Sequence, residues 1–274
     1  MMGRKMFCAV LAICGMLVLQ FGANAQGTTA KGNPAQRLFG DDLAMLVSFD
    51  DGKGEADIMD GEIEVNAGKS KNPQFAEEGA WGKCFSDGSL SYKTKFENVD
   101  FGKPCTFAFW MALATDDPAF DKLGACMPVA LCPARDGAFL QLQRQGWTKC
   151  ANLFTSLSVP GKKTNNTMAR IFGISKTTQW KKGEWHLVAI TWTPEELGLC
   201  VDGIHYTVAA LPSSIPKIFE LSDNPGIDGL WLGVSPKDLK LDELMFFSRK
   251  LSKDEIQKLY QESLKNMQME RNTK

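Results

Sequence analysis

The chain has 274 residues, with 31 basic side chains against 32 acidic ones, a formal net charge of -1, and two histidines. Charges of both signs are interspersed, which excludes the basic footprint of a nucleic-acid binder. After the first 25 residues no stretch is apolar for the ~20 residues that a membrane-spanning helix needs.

Arg4 and Lys5 precede an uncharged, mostly apolar run from Met6 to Phe21, and Ala23-Asn24-Ala25 stands before Gln26. This is the build of a secretory signal peptide over residues 1–25, with small residues where the peptidase needs them. An uncleaved anchor is the competing reading, but the apolar run is short for a span. Ile13 directly before Cys14 argues against a lipoprotein box. Cleavage implies an exported protein, secreted or held in the periplasm or at the cell surface, with no transmembrane span in the mature chain. It leaves 29 basic residues against 32 acidic ones, a net charge of -3.

Six cysteines remain: Cys84, Cys105, Cys126, Cys132, Cys150 and Cys200. An even number in an oxidising compartment is consistent with disulfides, although spacing does not choose among the pairings. Buried free thiols are the alternative.

Residues 26–42 are small, polar and aperiodic, and read as a flexible leader. From Ala44 to Ser248 short strand-like runs follow one another between Gly, Pro, Asn and Asp residues. The clearest are Met45–Phe49, Ser89–Lys93, Thr106–Met111, Ala138–Gln143, Trp185–Trp192, Leu199–Val201 and Ile204–Val208. Asp202-Gly203, between the last two, marks a tight hairpin. No amphipathic helix of ten or more residues interrupts the series, so the pattern predicts an all-β antiparallel sandwich over residues 43–250. Ser252-Lys253-Asp254-Glu255 fits a capping box. Ile256, Leu259, Tyr260 and Leu264 then form a helical stripe, which predicts a C-terminal helix over 251–268 and a fraying tail over 269–274.

Four segments together resemble one family. They are "LVSFDDG" (46–52), "CTFAFWMALA" (105–114), "GEWHLVAITWTPEELGLCVDGI" (183–204) and "LDELMFFSRKLSKDEIQKLY" (241–260), with the glycine-aromatic stretch 79–85 between the first two. Their order and spacing resemble the laminin-G-like jelly roll domain of the concanavalin A-like lectin/glucanase superfamily. The resemblance covers roughly residues 43–262 and implies two stacked antiparallel sheets with the first and last strands as neighbours.

The chemistry is weighed against that fold. Glu62-Ile63-Glu64 is the nearest approach to the superfamily's Glu-x-Asp-x-x-Glu catalytic strand, and it lacks the later acids. Asp242 and Glu243 are adjacent and on a regular strand point to opposite faces, with Glu243 expected as a surface charge. Retaining glycoside hydrolysis needs two carboxyls about 5–5.5 Å apart, so neither pair fits. His186 and His205 read as strand residues, and no nucleophile elbow, zinc motif or phosphate loop is present. The resemblance implies calcium near the ends of the first and last strands, which makes Asp50 and Asp242 its candidate ligands. Sugar rings stack on aromatic faces. Trp110, Trp185, Trp192 and Trp231 fall in strand patterns and are expected in the core, with Trp81 structural. Trp147 and Trp180 sit in polar, turn-like surroundings and are the expected carbohydrate platforms, with Arg144 and Asn152 to bond hydroxyls.

The expectation is an exported, non-catalytic laminin-G-like domain whose partner is a carbohydrate or glycan. A structural or interaction module that binds another surface protein is the alternative, and a divergent glycosidase-like enzyme is the weaker one.

Overall fold

The computed structural model describes residues 32–67, 72–99, 103–115, 126–132, 139–145, 152–160, 165–174, 180–211, 229–234 and 239–273. The expected signal peptide lies outside them. Helix α1 (Pro34–Phe39) is followed by β1 (Leu43–Val47), β2 (Ile58–Met59), β3 (Gly61–Ala67), β4 (Gln74–Ala76), β5 (Cys84–Phe96) and β6 (Cys105–Leu113). Next come β7 (Cys126–Cys132), β8 (Phe139–Gln145), β9 (Asn152–Pro160) and β10 (Asn165–Ile174). The chain continues through β11 (Trp185–Trp192), β12 (Glu196–Val201), β13 (His205–Ala210), β14 (Gly229–Val234) and β15 (Leu239–Phe247) to α2 (Lys253–Thr273).

The strands pair antiparallel along one path, β10-β9-β8-β7-β14-β5-β15-β6-β11-β12-β13. The first strand lies beside the last, with Leu43 opposite Phe247 and Val47 opposite Leu244, as the family resemblance implies. Strand β5 turns this path into two layers. Its Phe85 pairs with Leu241 of β15, while Leu90 pairs with Leu232 of β14 and Phe96 with Gly61 of β3. One layer, here the helix-side sheet, holds β1, β6, β11, β12, β13 and β15. The other, the open sheet, holds β3, β7, β8, β9, β10 and β14.

Side-chain alternation divides the core in the same way. Phe107, Phe109 and Met111 of β6 join Leu90, Tyr92, Leu230, Leu232 and Val234 between the sheets. Ala108, Trp110 and Ala112 of the same strand point the other way, onto a second core with Ile256 and Leu259 of α2 and Ala35 and Phe39 of α1. A strand covered on both faces has no wet positions, which is why β6 and β11 are buried at every residue.

The capping box forms as expected. Ser252 Oγ accepts from the Glu255 N–H at 3.3 Å, and the Glu255 carboxylate accepts from the Ser252 N–H at 2.8 Å. Arg249 clamps Glu255 through both terminal nitrogens, at 2.8 and 3.0 Å, and reaches Asp42 at 2.7 Å. At the hairpin, Asp202 and Gly203 both adopt positive φ, 57° and 66°, with the Ile204 N–H bonded to the Val201 carbonyl.

Two expectations about the ends are corrected. Within the stretch read as a flexible leader, Asn33 caps α1 through its side-chain oxygen, and Ala35 and Phe39 are buried. Asn-Pro at a helix start satisfies one exposed N–H and removes another, so a short helix is stable there once its apolar residues are covered. The C-terminal helix runs through the expected fraying tail to Thr273, because Met267 still buries into the second core.

Candidate binding surface

The Asp242-Glu243 pair is wholly buried, so the expectation of a surface Glu243 is corrected. The register of β15 against β6 slips between Asp242 and Met245, and Glu243 has φ +50°. Such a bulge re-aims side chains, so neighbouring residues no longer alternate as they do in a regular strand. Glu243 accepts a short hydrogen bond from Asn33 Nδ2. Asp242 Oδ2 accepts from the N–H groups of Ala80 and Trp81 at 2.7 and 3.3 Å, and Oδ1 from the Glu243 N–H at 2.9 Å. Burial, then the neighbouring Glu243 charge, holds the Asp242 carboxyl well above the usual carboxylate range, against the pull of the N–H donors.

The loop those donors belong to has to be glycine-rich. A Cβ on Gly79 would stand 2.7 Å from Asp242 Oδ2, and one on Gly82 would stand 2.0 Å from Asp50 Oδ1. Asp50 Oδ1 accepts from the Lys83 N–H at 2.9 Å. The two candidate calcium ligands therefore grip the same loop. Calcium takes about six to eight oxygen ligands with free lone pairs. Here the oxygens face backbone donors, and among the described residues no group of three or more His, Cys, Asp or Glu is placed to hold a metal. Asp50 and Asp242 staple loop 79–83 to the end of the first strand and to the last strand.

Of the expected carbohydrate residues, Trp180 is the one whose side chain is described. Trp180 is 9% exposed and belongs to the inter-sheet core, so it is not an open platform. Its indole stacks on the His186 ring, with centroids 3.9 Å apart and planes 11° from parallel. Its neighbours in sequence are polar, whereas His186 offers a flat partner inside. His186 Nδ1 lies 2.8 Å from Asp202 Oδ2, whose other oxygen accepts from the Leu187 N–H. Arg144 and Asn152 stand at the adjoining ends of β8 and β9 in the open sheet, opposite Leu153 and Gln145. Their side chains and Trp147 lie outside the described residues.

Cys84, Cys105 and Cys200 are buried thiols, which removes them from the expected disulfides. Burial pushes the Cys84 thiol up to about 12 and the Cys200 thiol up to about 11, so neither is a ready nucleophile. Packing among Ala, Trp and Leu side chains is what these cysteines do. Cys150 and the side chains of Cys126 and Cys132 lie outside the described residues.

The aromatic that the sequence reading misplaced is Trp231. Its neighbours Leu230, Leu232 and Val234 fill the inter-sheet core, so Trp231 faces outward from the open sheet and is half-buried. A Cβ on Gly233 would stand 2.2 Å from Trp231 Cη2 and 2.6 Å from Cζ2. The indole therefore lies down along the sheet over Gly233. Register places a polar row beside it. Trp231 is opposite Ser91 on one side and Ala130 on the other; Ser91 continues to Asn66, and Ala130 to Gln141 and Ser156. Ala130, Gln141 and Ser156 are buried, so the part of the row that meets solvent is half-buried Ser91 and exposed Asn66. Gln141 Nε2 donates to Ser156 Oγ at 2.9 Å. The signal for this was in the alternation of 230–234, where a glycine two residues after the tryptophan leaves room for the ring.

The comparisons with known proteins agree with this architecture. The binding domain of botulinum neurotoxin serotype D superposes with a TM-score of 0.58 at 13% identity, covering 81% of this chain and 52% of that one. The binding domain of botulinum neurotoxin DC in complex with SialylT gives 0.58 at 11% identity, with the same coverage. This chain thus spans about half the length of those binding domains. Domain 4 of AbnA, an extracellular GH43 arabinanase from Geobacillus stearothermophilus in complex with arabinotriose, gives 0.54 at 16% identity, covering 80% of this chain and 98% of that one. No curated protein matches. The laminin G model of the concanavalin A-like lectin/glucanases superfamily matches residues 86–257. Two antiparallel layers closed by their first and last strands, with that match over most of them, place the chain in the concanavalin A-like lectin/glucanase superfamily.

Proposed function

We propose that this protein is a non-catalytic, exported carbohydrate-binding domain, and that the outer face of the open sheet carries its site. The observation behind this reading is the half-buried Trp231 indole, which leaves the inter-sheet core on the outer side of β14 and lies over Gly233. A pyranose or furanose ring presents C–H groups that stack on such a surface, while neighbouring polar side chains fix its orientation. Ser91 and Asn66 supply those groups in the same register row. The arabinotriose complex of the AbnA domain, which shares the fold over nearly all its length, supports a glycan as the ligand class.

Catalysis has little support in the described carboxylates. Asp242 and Glu243 are sealed in the core. Glu62 and Glu64 are exposed on β3 opposite Lys95 and Lys93, each facing a cation rather than a second acid. An interaction module remains the second reading because Ile204 and Val208, at 56% and 41% exposed, present apolar surface on the β12–β13 hairpin.

Affinity electrophoresis through immobilised arabinan, xylan and β-glucan, together with a glycan array, tests the proposal. Retardation by at least one glycan, lost in Trp231→Ala and kept in Trp180→Phe, is the expected result. Retardation that survives Trp231→Ala rejects the site. A blank array with a protein partner captured by the β12–β13 hairpin favours the interaction module.

A further inference from the structure

On the far side of the molecule from Trp231, a cleft of about 410 Å³ opens between the loop after β4, the turn before β11 and the end of α2. Its lining includes Glu77, Glu78, Ala80, Lys182, Trp185 and Lys240, with Glu77 drawn toward Lys83 at 3.9 Å. Lys240 is fixed from behind, since its backbone pairs with Ala112 of β6 inside the helix-side sheet. Its side chain is 13% exposed, yet the carboxylate it bonds belongs to Glu78, whose side chain is 78% exposed. The Lys182 charge also acts on Glu78, and both lysines hold that carboxyl below its ordinary range.

This pairing is lopsided. A lysine side chain with so little access to water favours a paired anion, because leaving its charge unpaired costs desolvation. An exposed glutamate arm gains little by staying, because pairs near water are weak and screened. A carboxylate that arrives with its own binding surface can therefore take the place of Glu78. The cleft is much larger than one carboxylate and falls within the roughly 300–1,000 Å³ of small-molecule sites. Trp185 and Ala80 give it apolar wall beside the cations. A flat apolar ring face and a carboxylate on the same small molecule match that lining.

We propose that this cleft is a second ligand site, which takes a carboxylate-bearing sugar, the hexuronic acid unit of a glycan, with Lys240 as the anchor and Glu78 as the internal stand-in for the ligand's carboxylate. The sandwich separates it from the Trp231 face, so each site stands or falls alone.

Calorimetric titration of the full chain with digalacturonate and trigalacturonate, against the matching neutral galactose oligomers, tests it. The acidic oligomers bind and the neutral ones do not. Glu78→Gln removes the competitor and tightens binding several-fold. Lys240→Met removes the anchor and weakens binding at least about tenfold, the loss expected for a charge-assisted hydrogen bond. Trp231→Ala leaves the titration unchanged. Equal binding of acidic and neutral oligomers overturns the proposal, and so does a Glu78→Gln variant that binds no tighter. Glu78 is exposed, so that variant folds and keeps the test decisive even where Lys240→Met does not.

Discussion

Strands β6 and β11 of the helix-side sheet are buried on both faces, whereas β3, at the edge of the open sheet, is buried on one. Strand β6 has no residue in contact with water, while β3 alternates half-buried and exposed side chains along its length. On the covered side, aromatic groups pack edge to face and stack. Trp81 stands at 87° to Trp110, and Trp110 stacks on Tyr260 of α2. On the open side, Trp231 lies over Gly233 of its own strand, in register with Ser91 and Ala130 beside it. The same residue type thus serves stability on one face and, in the proposed function, meets a ligand on the other. Substitutions on the two faces should separate accordingly.

The largest stability effect belongs to the covered face. Trp110 is fully buried between two other rings, and Trp110→Ala should destabilise by about 3–5 kcal/mol, the range for deleting a core aromatic. Urea unfolding followed by circular dichroism measures it. A loss under about 1 kcal/mol would mean that α2 is not fastened to the sheet, and the contrast between the faces would fail.

Next comes the staple at Asp242. Asp242→Ala strands three backbone N–H groups that it now satisfies, at about 1–3 kcal/mol for each buried donor left without a partner, less whatever the loop recovers by relaxing. A net loss of about 3 kcal/mol is expected. Because backbone N–H groups already satisfy the Asp242 oxygens, calcium and a chelator should give the same melting temperature. A rise with calcium that Asp242→Ala abolishes would restore the metal reading. The pH dependence has a sign of its own. A carboxyl raised on folding stabilises fully below its unfolded pKa, and that contribution is lost as pH rises through the folded value. Asp242 therefore weakens the fold toward neutral pH. Glu255 acts in the opposite sense. Arg249 lowers it from 4.5 to about 2, so its contribution is present above 4.5 and lost as pH falls toward 2. Melting curves from pH 2 to 8 should flatten on the acid side in Glu255→Gln and on the neutral side in Asp242→Asn.

The parts of this contrast were not equally legible. The covered strands announce themselves as unbroken apolar runs, and the helix start as Ser-x-x-Glu, because burial and capping act on residue types directly. The bulge at Asp242-Glu243 gave no such sign. Positive φ is costly for glutamate, and nothing local predicts it; the Asn33 amide, 210 residues away, supplies a partner that only the fold brings near. Helix α1 is too short to show a period, although Asn33-Pro34 was a readable start. Trp180 was misjudged because its sequence neighbours are polar while its ring partner, His186, lies across a turn. Trp231 was misjudged for the opposite reason: an apolar run suggested core, but two-residue alternation sent leucine inward and tryptophan out.

A smaller effect is expected at the helix cap. Ser252→Ala removes one acceptor for the Glu255 N–H and should cost about 1 kcal/mol. Arg249 still holds the glutamate, so the helix keeps its start. A loss of 3 kcal/mol or more would show that the covered face depends on this turn far more than on the packing of Ile256 and Leu259.

The smallest stability effect should accompany the largest functional one. Trp231 is half-buried, lies along the sheet instead of filling the core, and rests on a glycine, so Trp231→Ala opens no cavity between the sheets. Its loss removes partial apolar contact only, and the unfolding free energy should change by less than about 1.5 kcal/mol. Glycan binding should fall by tenfold or more, since the stacking surface goes with the ring. Gly233→Ala is the sharper variant. Its new methyl would occupy the place of the indole's far edge and tilt the ring off the sheet, leaving the tryptophan present but misdirected. Binding that drops in Gly233→Ala while the melting temperature holds would tie recognition to the ring's orientation. Binding that persists there would mean that the ligand approaches some other part of the open sheet.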